Sequence, residues 1–278
     1  MVNHLPRIIK LIRVKDIVTL LGSFFAILSI LSTLTGIFLN NDYYYSLACM
    51  FIFFAICTDT IDGYIARKFN EGGNELGIQI DSLSDCIAFV VAPAILMYAA
   101  YGGGLLFIPA GIFTMCGVLR LAWFNIEDTT EGYIGIVTPI TASTVIIYFL
   151  TNYFYLQIID HATGAVLTFY ENFNVINSFL TNKLTITIFM ILLGLSNLAD
   201  FFRYTKKVRK KRGLWKYYII IAGISAILMI ILINIATFIS ELWVVIYIII
   251  DIWSIIAFFG CIAYIFWGLY TWYRLRGE

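Results

Sequence analysis

Eight apolar runs, each about twenty residues or longer, leave this chain few ways to fold. They lie at roughly 17–39, 43–67, 77–101, 104–125, 134–154, 183–204, 217–239 and 243–271. A hydrocarbon core takes about 20 residues of helix to cross, so each run is expected to be a spanning helix. The chain is 61% hydrophobic and 13% charged, with a mean hydropathy of +0.91. A soluble domain is nearer half apolar and about a quarter charged. The expected fold is therefore all-α: a polytopic membrane protein of about eight transmembrane helices. Six of them form a core at 1–204; a basic linker and two additional helices follow at 205–278. Residues 1–15 read as an amphipathic interfacial helix, with Leu5, Ile8, Ile9, Leu11 and Ile12 on the apolar side and Arg7, Lys10 and Arg13 among them.

Charge is informative by its placement. Of the 18 Lys and Arg, Lys183 alone falls on the far side and Arg120 lies within a span. The rest sit at the N-terminus, the 67–68 turn, the 203–216 stretch and the C-terminus, which the positive-inside rule places in the cytoplasm with both termini. A net charge of +1 gives no reason to expect nucleic acid as a partner. The five cysteines form no CxxC pair, and the two histidines, His4 and His161, are far apart; neither set suggests a metal centre.

The chemistry is concentrated between Asp59 and Asp85. Asp59 and Asp62 are spaced i, i+3; Asp81 and Asp85 are spaced i, i+4, so each pair projects from a single helix face. One carboxylate at the centre of a membrane helix costs about 2.5–3.5 kcal/mol. Four are retained only if they meet water, cations or the interface. The two pairs end one span and begin the next, so an antiparallel hairpin joins them at one membrane face. Gly63 and Ala66 leave little bulk beside the first pair, and Arg67 follows. Oxygen-only ligands suit magnesium, manganese or calcium.

The string Asp59-xx-Asp62-Gly63-xx-Ala66-Arg67, then Gly77-xxx-Asp81-xxx-Asp85, resembles the signature of the CDP-alcohol phosphotransferases, membrane enzymes of phospholipid synthesis. Nine residues separate Arg67 from Gly77 where eight are usual, an insertion at the Gly72-Gly73 turn. The longer segments Asp81-Ser-Leu-Ser-Asp85-Cys-Ile-Ala-Phe-Val-Val-Ala-Pro93, Arg120-Leu-Ala-Trp-Phe-Asn125 and Tyr133-Ile-Gly-Ile-Val-Thr-Pro139 resemble its phosphatidylserine synthase branch, or the archaeal archaetidylserine counterpart. Trp123 stands where that branch has an arginine.

The resemblance implies transfer of a phosphatidyl or archaetidyl group from a CDP-activated lipid to the hydroxyl of L-serine, with release of CMP. It implies a divalent cation, Mg2+ or Mn2+ and a pair of them, held by Asp59, Asp62, Asp81 and Asp85. Asp85 would also be the general base. Gly63, Ala66, Arg67 and Gly77 would serve the nucleotide and its phosphates with the first aspartates, Arg120 and Asn125 the serine or lipid phosphate. A homodimer is implied by resemblance alone. Two alternatives stand beside this reading: another acceptor (glycerol 3-phosphate or an inositol phosphate), and a cation transporter. Clustering of the carboxylates at one face speaks against transport, whose sites lie near the midplane.

Overall fold

The computed structural model describes residues 11–69, 75–126, 132–205 and 243–276. The expected interfacial helix largely falls outside them, as do the 206–216 basic stretch and the span at 217–239. Six described helices are long and apolar enough to cross a membrane: α1 Val14–Leu39, α2 Tyr43–Lys68, α3 Glu75–Ala100, α4 Gly104–Phe124, α5 Thr138–His161 and the last, Trp243–Arg274. Short helices α6 (Gly164–Glu171), α7 (Asn174–Leu180) and α8 (Lys183–Ser196) intervene. The last helix, which continues to Arg276, is α9.

Three expectations need correction. The stretch 155–182, read as a polar connector, is largely helical. Tyr155, Ile158, Ala162 and Tyr170 form a buried cluster against the start of α9, and their apolar contacts outweigh the polar residues around them. The sixth span, read as 183–204, ends at Ser196; with α7 it makes a bent pair at 57° that counts at most as one broken crossing. The described residues thus hold six candidate spans, or seven with that bent pair, and the remaining expected run, 217–239, lies outside them. The described residues also carry one small ladder, which an all-α reading did not include. Strand β1 (Gly132–Ile134) pairs antiparallel with β2 (Arg203–Thr205), with Tyr133 opposite Tyr204.

α1 and α2 pack along a stripe of small residues. Gly22, Ala26, Ser29, Thr33 and Gly36 are all buried on one side of α1. A Cβ at Gly22 would lie 2.8 Å from the Thr58 hydroxyl, and one at Gly36 would lie 2.7 Å from the Tyr45 ring. Without a strong hydrophobic drive between helices in lipid, such close backbone approach supplies the attraction. Asn40, in the left-handed region at φ 48°, ends α1, and the Asn41 N–H returns to the Gly36 carbonyl. On the opposite side of α1, Ile17, Leu20, Phe24, Ile27 and Leu31 are exposed, as expected of a face toward lipid.

α3 is not regular. Cys86–Val91, directly after Asp85, is a π-helical turn, with the Ala92 N–H donating to the Ile87 carbonyl. Pro93 follows and has no N–H for the Phe89 carbonyl, so the widened turn forms where the ordinary ladder must break. α4 packs on this turn through Gly117, whose Cβ would lie 2.6 Å from Val90. α5 and α9 are joined by Thr151 Oγ1 donating to Ser254 Oγ at 3.0 Å.

Candidate active site

The Gly22 contact with Thr58 sets the register that brings the start of α1 against the end of α2. One turn earlier on α1, Thr19 donates to Asp62 Oδ2 at 2.6 Å, and the Thr19 carbonyl accepts from Ser84 Oγ of α3 at 2.9 Å. Thr19 thus ties both aspartate-bearing helices to α1. Ligand oxygens of Asp59, Asp62 and Asp81 lie within 4.8 Å of one another. Asp62 is buried and the other two are half-buried. Asp85 stands beside them, within electrostatic reach of all three. It lines a narrow crevice with Asp59, Asp62, Thr58, Ser84 and Gly22. The hairpin geometry expected from the spacing is therefore what forms.

Like charges this close repel unless a cation or proton intervenes. Among the described residues no lysine or arginine forms an ion pair with these four aspartates. Lys15 pairs with Asp16 at 3.7 Å and acts only at longer range on Asp62 and Asp81. A set of hard oxygen donors with no cationic side chain paired to it among the described residues fits a divalent cation.

The other expected residues divide. Arg67 is exposed and folds back over Gly63: a Cβ there would meet its Nη1 at 3.3 Å. The missing side chain at Gly63 thus leaves room for the guanidinium. Ala66 is half-buried, and Gly77 is buried in the first turn of α3. Asn125 ends α4, and its Nδ2 donates to Ser82 Oγ at 2.8 Å, next to Asp81. It therefore holds α4 to the aspartate helix. Arg120, 4% exposed, lies between two fixed points: Gly117 opposite Val90 and Asn125 opposite Ser82. That puts it level with the turn following Asp85. Its guanidinium carbon is 5.3 Å from the centre of the Phe124 ring.

Sequence reasoning missed Thr19, Ser82, Ser84 and Asn197. A signal existed for Thr19: Lys15, Asp16 and Thr19 recur at helical spacing on one side of an otherwise apolar run. Asp16, 1% exposed, accepts from the Arg13 N–H at 2.8 Å and so fixes where α1 begins, beside the aspartates.

Residues 12–170 match the family model for CDP-alcohol phosphatidyltransferase. The chain belongs to this family. Among CDP-alcohol phosphatidyltransferases, it is 39% identical over 130 residues to a CDP-diacylglycerol–serine O-phosphatidyltransferase of Methanocaldococcus jannaschii. That alignment covers 47% of this chain and 57% of the relative. An archaetidylserine synthase of Methanothermobacter thermautotrophicus is 34% identical over 152 residues, 53% of this chain and 62% of the relative. A CDP-diacylglycerol–serine O-phosphatidyltransferase of Helicobacter pylori is 34% identical over 132 residues, 46% of this chain and 55% of the relative. The chain thus spans somewhat more than half the length of these relatives. The family match contains all four aspartates and Arg120, and stops before α7.

Proposed function

We propose that this protein transfers a phosphatidyl or archaetidyl group from a CDP-activated lipid to the hydroxyl of L-serine, releasing CMP. The observation that carries this reading is the gathering of Asp59, Asp62 and Asp81 within 4.8 Å, with Asp85 adjacent but outside that group. The names of the relatives supply the acceptor. Asp59, Asp62 and Asp81 would hold divalent cation, Mg2+ or Mn2+, with Asp85 at the edge of a second position. A cation held by these aspartates would supply positive charge against the pyrophosphate and the departing phosphate oxygen. Asp85 takes the proton of the serine hydroxyl as that oxygen bonds to the lipid-side phosphorus and the bond to the CMP oxygen breaks. A carboxylate is a weak base for an alcohol, so the proton moves during attack, not before it. Arg67 contacts phosphate through its planar fork.

The proposed domain division is a transferase core at 1–204 and an additional helical segment at 205–278. The proposed orientation puts the aspartate end in the cytoplasm. Lys15, Arg67 and Lys68 lie at that end, whereas Lys183 lies at the other beside Gly102.

The decisive assay follows CMP release by purified protein in detergent with CDP-activated lipid and Mn2+ or Mg2+. Serine, glycerol 3-phosphate and inositol phosphate are supplied separately. Release is expected with serine only and is expected to vanish when EDTA strips the metal. Release with a different acceptor would overturn the serine assignment. No release from folded protein with any of them would remove the transferase reading.

Thr19 gives a second check. Thr19→Val keeps the shape and removes the hydroxyl that orients Asp62. Affinity for Mn2+, titrated by electron paramagnetic resonance, is expected to fall about 10- to 100-fold. Wild-type affinity would mean that Asp62 is not a ligand or needs no support.

A further inference from the structure

Asn197 is 1% exposed, and neither its amide oxygen nor its amide nitrogen has a hydrogen-bond partner among the described residues. Burying a whole amide unpaired is costly, and such a group asks for a ligand. Asn197 lies one residue past α8, outside the stretch that matches the family.

The chain nevertheless brings Asn197 to the catalytic end. The Gly135 N–H donates to the Phe202 carbonyl at 2.9 Å and the Ile136 N–H to the Ser196 carbonyl at 3.2 Å. These bonds seat the 135–137 loop on the segment after α8. A Cβ at Gly135 would lie 2.2 Å from the Asn197 carbonyl oxygen and 3.5 Å from Arg120 Nε. Arg120 Nε and the main chain of Asn197 therefore flank one bare stretch of backbone at Gly135, level with the turn after Asp85.

We infer that Asn197, together with Arg120, forms the acceptor pocket, and that the pocket takes a free α-amino acid. The inference rests on the proposed serine transfer and adds the group that recognises the acceptor. An α-amino acid brings a carboxylate and an ammonium side by side. A guanidinium matches the first. A carboxamide can accept from the second through Oδ1 and donate to the first through Nδ2. A phosphorylated polyol has no ammonium and would leave Oδ1 without its charged donor. Asn197 binds and positions; it does not take part in proton transfer.

The test compares wild type and Asn197→Ala in lipid nanodiscs, measuring KM for L-serine, KM for the CDP-lipid and equilibrium binding of a cytidine nucleotide. Loss of one hydrogen bond to a charged group predicts a rise in the serine KM of about 10- to 100-fold. KM for the CDP-lipid and nucleotide binding are expected to stay within about twofold, a margin set by ordinary surface-level perturbation. The variant is also expected to lose its preference for L-serine over glycerate, which lacks the ammonium. An unchanged serine KM in protein that still binds nucleotide overturns the inference and leaves the transferase reading intact. An equal rise in the CDP-lipid KM also overturns it, because the pocket then serves the lipid. Wild-type protein that releases CMP only with an acceptor other than an amino acid removes the reading and the inference together. Should Asn197→Ala fail to bind nucleotide, Asn197→Asp, of the same shape, takes its place under the same criteria.

Discussion

Asp85→Asn is expected to lower serine-dependent CMP release by roughly 10²- to 10⁴-fold, the usual contribution of a general base. Binding of a cytidine nucleotide to the metal-loaded variant is expected to remain. The separation follows from position. Asp59, Asp62 and Asp81 form the compact group of ligand oxygens, and Asp85 lies outside it on the next turn of α3. It opens onto the crevice shared with Asp59 and Asp62. Asn keeps the size and one acceptor oxygen, so packing against Thr58 and Ser84 is preserved while proton affinity is lost. Asp62→Asn should behave differently, because it removes a ligand charge and disturbs the Thr19 hydrogen bond. There the Mn2+ affinity should drop along with turnover. If Asp85→Asn weakens Mn2+ as much as Asp62→Asn does, Asp85 is a ligand and the base lies elsewhere.

The contrast between these two aspartates shows what the sequence could carry. The spacing of Asp59 with Asp62 and of Asp81 with Asp85 was enough to place four carboxylates together, because helix periodicity and a short turn leave no other arrangement. Arg120 was legible for a similar reason, as a charge inside an apolar run. Local pattern does not report which carboxylate stands apart, since that depends on how α3 packs against α1 and on the irregular turn that follows Asp85. Thr19 reads like any threonine bonding back to its own helix, and it does lie 3.1 Å from the Lys15 carbonyl. Its second contact, to Asp62, spans 43 residues. The β1–β2 ladder joins two three-residue strands some seventy residues apart, too short for any alternation to register. The helices within 155–182 were hidden because Tyr155 and Tyr170 pack as core residues while their neighbours are polar. Asn197 carried no signal at all, for a lone asparagine past an apolar run reads as a helix end.

Gly135→Ala is expected to be among the most damaging single-methyl additions in the described structure. Two independent costs coincide there. Gly135 has φ +77°, where an L side chain is strained. The added Cβ would also lie 2.2 Å from the Asn197 carbonyl oxygen, and backbone cannot swing aside as a long side chain can. Positive-φ strain and overpacking each cost about 1–3 kcal/mol, so the pair predicts roughly 2–6 kcal/mol. The displaced segment carries Ser196, Asn197 and Phe202, and through them the contact beside Arg120. Loss of serine-dependent CMP release should therefore accompany a lower temperature of unfolding in detergent. Gly111→Ala is the matched control. It adds the same methyl in the middle of α4 with nothing within 4 Å, and helix propensity predicts a neutral or slightly stabilising effect. Equal unfolding temperatures for Gly135→Ala and Gly111→Ala would show that the 135–137 loop does not pass over Asn197 as described. A stable Gly135→Ala protein with unaltered KM for serine would detach that loop from the acceptor. The expected result binds the two together: a methyl at 135 that moves Asn197 should change how the acceptor is held, even at temperatures where the helices remain folded.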